Sequence, residues 1–497
     1  MKAHTVAPFL GILILALGLR WHLAQSTAFD GLYGQDAFAY WNYAQNLRHL
    51  QLPNPAYWPL GFSLLIAMTS RSPSDSQRLV LVMGASLAPL TYLLTMESLR
   101  LEGWTLASAR RAGIVAGLIM AFCGQLIQSS LVIMADVPSL WWAVVSAVGL
   151  LYYRQTEGRG RWAWLAMVAW ALAWATISRW LYGVLIPVWA LYFWRYKHTW
   201  RDGLWALVPA SVVLLPQLLV SQHSLIHHAW LEGWQAGNAL RRDFVNVDGT
   251  FHYPHLNAVY YSQSLYDGWY LHRIWVGFTL IGLGRMVWER RGWLWLGWLG
   301  CVWGFLAGIP YQNIRFLLPL MIPVAVWCGV GGASLWDWIG IALRQRYGLS
   351  VVDMVMRGWL MLAIGVALWS PYPLGKAGYQ YIVETKNTDL TVIRRTEAAI
   401  EPDAMVYCMS LWTMMGHYTD IEMRQLFYED PATIVQNLPQ DRPVYLLING
   451  WMIEHRWQGQ GPWLSVHALL DNPGMIRLAL WGSYHLYLVK NQWWGHQ

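Results

Sequence analysis

Apolar runs of roughly 20 residues recur along most of this chain, and that is the length of helix that crosses the hydrocarbon core of a bilayer. They lie near 8–25, 78–97, 112–130, 137–153, 162–178, 180–194, 203–220, 274–288, 293–309, 315–333 and 357–371. Only 12% of the residues are charged and 56% are hydrophobic, against a charged share of about a quarter in soluble domains. The expected fold is therefore mostly α: a polytopic membrane helix bundle of about eleven spans over 1–371, followed by a small external α/β domain over 372–497. The opening "MKAHTVAPFLGILILALGLRWHLA" has no small-residue cleavage site before Trp21 and His22, so it is expected to span rather than to be cut away.

Basic loops resist translocation, so the side rich in Lys and Arg is the cytoplasmic one. Lys2, Arg100, Arg110, Arg111, Arg154, Arg159, Arg161, Arg195, Lys197, Arg201, Arg285, Arg290, Arg291, Arg344, Arg346 and Arg357 fall in alternate loops. This places the N-terminus inside and the tail outside. The formal charge of +7 belongs to these loops and implies no nucleic-acid partner. Cys123, Cys301 and Cys328 fall in apolar runs and Cys408 alone in the tail, which excludes a disulfide framework there. No Asn-x-Ser/Thr occurs, which favours a bacterial cytoplasmic membrane over a secretory pathway.

Three segments on the outer side are long enough to hold chemistry: 26–77, 221–273 and the tail. In the first, "DAFAYWNYAQNLRHL" spaces Phe38, Trp41, Ala44 and Gln45 as a helix lying in the interface. "YWPLGFSLLIAM" is too short to span and reads as a half-helix entered through Pro59 and Gly61. In the tail, "DAMVYCMS" and "RPVYLLI" read as strands, "DPATIVQNL" as a helix, and "IRLALWG" with "YHLYLVK" as a hairpin. No phosphate-binding glycine loop is present.

Ionisable residues at span ends away from the basic side need a reason. Asp36, Asp136, Arg179 and Arg315 are four of them, all expected on the outer face. Either acid can cap a helix, and either arginine can snorkel to lipid head groups. Together they suit a reaction in which a phosphate leaves and a hydroxyl or amine attacks: arginine holds phosphate bidentately, and aspartate accepts the nucleophile's proton.

The series "GQDAFAYWNYAQNL", "YWPLGFSLLIA", "MADVPSLWWAVVSAVGLLYY", "ISRWLYGVLIPVWALYFW" and "IRFLLPLMIPVAVW" resembles the C-type integral-membrane glycosyltransferases. Within them it is most similar to the bacterial transferases akin to protein O-mannosyltransferases and the lipid A aminoarabinose transferase. The resemblance covers roughly residues 5 to 335. It implies an inverting transfer of sugar from a polyprenyl-phosphate donor to a lipid, glycan or protein acceptor, within membrane lipid. On the family pattern Asp36 falls on the first-loop acid, Asp136 on the second-loop acid and Arg315 on the late phosphate-side arginine. Asp36-Ala37 stands where many members have adjacent Asp-Glu, and "YWPLG" where a double proline is commoner, which leaves sugar and acceptor open.

Arg179 and Arg273 are further donor-phosphate candidates, and Tyr40, Tyr261 and Trp269 candidate sugar or acceptor contacts, with an interfacial aromatic belt as the plainer role of such rings. The loop 221–273 adds His223, His227, His228, His252, His255 and His272 with Glu232 and Asp248, but in no tight ligand spacing such as H-E-x-x-H. No metal site is expected from this pattern, and a divalent cation as cofactor stays open. Two other functions compete: a flippase for lipid-linked sugars, and a glycan polymerase or ligase using a diphosphate-linked donor. A flippase predicts ionisable groups along mid-membrane positions, and the apolar runs carry almost none.

Overall fold

All eleven apolar stretches are helical in the computed structural model, which describes residues 3–52, 58–196, 200–220, 233–246, 248–347 and 350–489. Among the described residues five helical stretches are long and apolar enough to cross a membrane, by length and composition: Thr5–Gln25, Pro73–Leu101, Arg201–Leu219, Ile314–Ile339 and Met354–Ala399. Others are interrupted. The run at 112–130 breaks at Cys123 between helices Leu106–Phe122 and Gly124–Ser129, and the run at 180–194 opens as a 3-10 turn, Trp180–Leu185, before helix Ile186–Arg195. The chain is a multi-pass membrane protein with a small C-terminal sheet.

The chain divides into two compact units. The first comprises Met1–Leu32, Tyr40–Leu240 and His255–Gln380. Its core is helix on helix: α4 (Pro73–Leu101) packs on α5 (Leu106–Phe122), and α7 (Asp136–Gln155) on α8 (Arg159–Ser178). The helix Met321–Tyr347 runs against α5 and against Trp275–Trp288. α4 starts where its sequence dictates, because Ser72 and Asp75 close a capping box ahead of Pro73.

The expected half-helix is α3 (Leu60–Thr69). Pro59 gives it no side-chain cap; instead the Gln217 amide oxygen accepts from the Leu60 N–H at 2.8 Å. Gly61 allows α3 to press on the end of α8: a Cβ there would lie 2.7 Å from the Ser178 hydroxyl and 2.8 Å from the Ile177 carbonyl carbon. Gly61→Ala is therefore expected to displace the residues leading into Arg179, lowering the melting temperature through overpacking of roughly 1–3 kcal/mol.

The second unit comprises Tyr33–Ala39, Arg241–Pro254 and Tyr381–Gln497. Its five-stranded sheet runs β4-β3-β5-β7-β6, where β3 is Met405–Cys408, β4 Glu422–Gln425, β5 Val444–Asn449, β6 Met475–Trp481 and β7 Tyr484–Val489. β4, β3 and β5 are parallel, and β7 pairs antiparallel with β5 and β6. The expected strands and terminal hairpin are present. The expected helix over "DPATIVQNL" is instead a chain of turns: the Asp430 carboxylate accepts from the Ala432 N–H at 3.2 Å and the Thr433 hydroxyl at 3.0 Å, and Pro439 disfavours helical geometry at the preceding residue.

Part of the loop 221–273 belongs to this unit as a hairpin, β1 (Asp243–Asn246) with β2 (Gly249–His252). Arg456 donates to the Asp248 carbonyl at 2.8 Å and lies over the Phe251 ring, and Gln460 donates to the Thr250 hydroxyl at 2.9 Å. His223, His227, His228 and Glu232 lie outside the described residues.

Candidate functional site

Asp136 stands at the first turn of α7, yet it does not cap that helix: Ala135 is the N-cap and no side-chain cap bond forms. Its carboxylate turns inward, only 4% exposed, to meet two arginines brought from far along the chain. Arg179 is the residue at which α8 ends, in extended conformation, and its Nε lies 3.2 Å from Asp136 Oδ1. Arg315 opens the 3-10 segment Ile314–Leu320, and its Nη1 lies 3.8 Å from Asp136 Oδ2.

A buried carboxylate facing two guanidiniums leaves one net positive charge. The arginines are more open than the acid, 19% and 23% against 4%, so the cationic side of the cluster is the accessible one. Low local polarity strengthens the attraction of such a cluster for an anion. The Arg179 guanidinium also lies over the Phe316 ring, 4.8 Å from its centroid, a cation–π contact that fixes its plane. Both guanidiniums are paired with Asp136.

Arg315 is held from several sides. Asn313 caps the 3-10 segment, its Oδ1 accepting from the Arg315 N–H at 3.0 Å and from Nε at 3.4 Å. Arg315 Nη1 also touches Met134 Sδ, two residues before Asp136. The approach to Arg315 is fixed by buried side chains. The Tyr261 hydroxyl donates to the Tyr311 carbonyl at 2.8 Å, the Tyr270 hydroxyl to the Ile314 carbonyl, and Asn257 Nδ2 to the Ile309 carbonyl at 2.6 Å. Asn257 and Asn313 were not singled out in the sequence. Asn313 had a signal, since an Asn ahead of a short apolar helical run is a cap; a buried tyrosine hydroxyl bonded to a distant carbonyl has none.

The other candidates are placed as follows. Asp36 lies in the first turn of α2 (Gly34–Arg48), half-buried, in the segment 33–39 that groups with the second unit. Within that unit Phe38 packs on His417 and Tyr418, and the buried Lys386 ammonium lies 5.3 Å from the Tyr418 ring centroid. Tyr40 is buried, its ring edge-on to Phe62 at 5.2 Å. Tyr261 is buried in the contact just given. Trp269 is half-buried, and its carbonyl accepts from the Gln125 N–H at 3.0 Å. Arg273 is exposed in the turn before helix Trp275–Trp288, and no contact among the described residues joins it to the cluster. Among the described residues no group of three or more His, Cys, Asp or Glu could hold a metal ion.

Removing the acid from the cluster leaves two guanidiniums facing each other with nothing between them. Asp136→Ala is expected to cost roughly 3 kcal/mol, the scale for breaking a buried ion pair from one side. The check is a thermal melt in detergent; an unchanged melting temperature would show that the three groups are not coupled.

No family model and no curated protein matches this sequence. Solved structures do match. The apo structure of ArnT from Cupriavidus metallidurans aligns over 98% of this chain and 97% of its own, at 12% identity and a TM-score of 0.62. The same protein bound to undecaprenyl phosphate aligns at 12% identity and a TM-score of 0.57, covering 98% of each chain. The Archaeoglobus fulgidus oligosaccharyltransferase tethered to an acceptor peptide aligns over 91% of this chain and 70% of its own, at 12% identity and a TM-score of 0.58. From end to end, this chain has the fold of the C-type membrane glycosyltransferases.

Proposed function

We propose that this protein is an inverting glycosyltransferase that moves a sugar from a polyprenyl-phosphate donor to an acceptor at the outer face of the cytoplasmic membrane. The observation that carries this is the convergence of Arg179 and Arg315 on one buried acid, Asp136, with net positive charge. The shared fold supports it, as does the undecaprenyl phosphate bound to one protein of that fold.

In the proposed reaction Asp36 takes the proton of an acceptor hydroxyl. The hydroxyl oxygen attacks the anomeric carbon from the face opposite the phosphate. The bond from that carbon to the phosphate oxygen breaks, and its electron pair stays on the leaving polyprenyl phosphate. The phosphate therefore gains negative charge as the bond opens, and a cationic cluster stabilises it more in the transition state than in the ground state. Arg315 and Arg179 supply that charge, and Asp136 holds both guanidiniums in place. Tyr40, Tyr261 and Trp269 are the proposed contacts to sugar or acceptor.

The test is turnover of defined polyprenyl-phosphate sugars by the purified protein, with mass spectrometry of envelope lipids and glycans from cells with and without the gene. One sugar missing from one acceptor is expected. Unchanged envelope composition together with no release of free carrier phosphate would sink the proposal.

The orientation has its own test, motivated by the basic residues in alternate loops. Single cysteines at Ser262 and Gln460 are expected to react with an impermeant thiol reagent in spheroplasts, and one at Gly158 to stay silent. Labelling at 158 without labelling at 460 would put the chemistry on the cytoplasmic side.

A further inference from the structure

Away from the arginine cluster, the first unit contains a polar cavity of about 260 Å³ between the last turn of α1 (Ala3–Gln25), the segment that follows it, and the first turns of α4. Its wall includes Trp21, Gln25, Thr27, Asp30, Gln77 and Arg78. The geometry points to a binding site for one sugar ring of a membrane-tethered glycolipid, the acceptor of the proposed transfer; in that last clause the inference rests on the reading given above.

Three features select this ligand class. Ligand pockets for drug-sized molecules start near 300 Å³, so the cavity suits a single ring and is too polar for an acyl chain. Its lining mixes acceptors with donors: the Asp30 carboxylate, the Arg78 guanidinium, two amides and the hydroxyls of Thr27 and Ser74, beside the half-exposed Trp21. A ring whose hydroxyls both donate and accept matches that mixture, and an aromatic face suits its C–H side. A bare phosphate does not match it, because the Asp30 carboxylate shares the wall. Third, the cavity sits at the end of one apolar helix and the start of another, where head groups of membrane lipids lie.

The wall is also bonded to the strand of chain that carries Asp136. Gln77 donates to the Leu131 carbonyl at 2.9 Å, and the Ile133 N–H donates to the Gly31 carbonyl at 2.9 Å. Gly31 has φ +90°, and a Cβ there would lie 2.8 Å from Ile133 and 2.9 Å from Gln77. Only glycine lets the wall beside Asp30 approach this closely. The Thr27 hydroxyl is fixed by the Tyr379 hydroxyl at 2.6 Å, so the site is formed before a ligand arrives.

The experiment uses the full chain in phosphatidylcholine nanodiscs with an octyl glucoside bearing a photoreactive diazirine on the sugar, and the matching octyl phosphocholine as comparison. Cross-linked peptides are mapped by mass spectrometry. The glucoside is expected to label peptides covering 21–30 and 73–81, and Trp21→Ala to reduce that label roughly three- to tenfold, the scale of one lost aromatic contact. Arg78→Ala is expected to act in the same direction, and Trp288→Ala, on a ring 89% exposed elsewhere, to change nothing. Soluble methyl glucoside added in excess separates recognition of the ring alone, where it competes, from recognition of the tethered form, where it does not. Equal labelling by the phosphocholine probe, or an undiminished label in folded Trp21→Ala and Arg78→Ala protein, overturns the inference. Donor turnover is measured separately: turnover without labelling sinks this site alone, and labelling without turnover sinks the transferase reading and leaves a glycolipid site.

Discussion

Asp36→Asn is expected to lower transfer by roughly 10²- to 10⁴-fold while leaving the protein folded, the range lost when a general base is removed. The amide keeps the size of the side chain and its ability to accept a hydrogen bond, but it cannot take a proton. Asp36 stands in the first turn of α2, so the competing role is that of an acid complementing the helix N-terminus. The two roles differ in scale and in kind. A lost cap costs about 1 kcal/mol of stability and leaves turnover intact in whatever fraction is folded. The measurement is single-turnover release of carrier phosphate beside a thermal melt of the same preparation. Full turnover with a lowered melting temperature would assign Asp36 to the helix end and leave the proposed reaction without its base.

The features legible in the sequence were those fixed by local pattern. Runs of apolar residues gave the helices, because burial of side chains in lipid depends on composition over a window and not on partners. Pro59 and Gly61 gave α3, and alternation gave the terminal hairpin of β6 and β7. The strand β4 is four residues, "EMRQ", alternately exposed and half-buried, too short and too polar to show a period. The segment after Asp430 shows the opposite failure. Its composition suits a helix, but the Asp430 side chain and Pro439 compete locally for the same backbone.

The candidate site was legible as a set of residue types and not as a set of contacts. Asp136, Arg179 and Arg315 were recognisable because charge at the end of an apolar run is costly without a purpose. That the three meet is a property of helix packing: Arg179 and Arg315 are 43 and 179 residues distant from Asp136 in the chain, and no spacing rule spans such a distance. Asp136, expected to fall on the second-loop acid of the family pattern, faces both guanidiniums. The supports from Asn257, Tyr261 and Tyr270 were illegible for a further reason. Their partners are backbone carbonyls, and any residue offers one.

Arg315→Lys separates a phosphate site from a structural charge. An ammonium keeps the positive charge opposite Asp136, so electrostatic support of the cluster survives. It cannot reproduce the planar fork, in which Nε reaches Asn313 at 3.4 Å while Nη1 lies 3.8 Å from Asp136 Oδ2 and the plane as a whole can meet two phosphate oxygens. If Arg315 binds the leaving phosphate, Arg315→Lys is expected to lose roughly 10- to 100-fold in kcat/KM, the equivalent of one charge-assisted hydrogen bond. Arg315→Ala is expected to lose more, because it removes the charge as well. Since the phosphate's charge grows as the bond breaks, the loss should fall mainly on kcat, with a smaller rise in KM for the donor. Rates against donor concentration for the wild type and both variants, each checked by melting, decide the point. Wild-type kinetics in Arg315→Lys would make the guanidinium a structural partner of Asp136 alone, and the phosphate would then have to be held by Arg179, whose Lys variant is the next to measure.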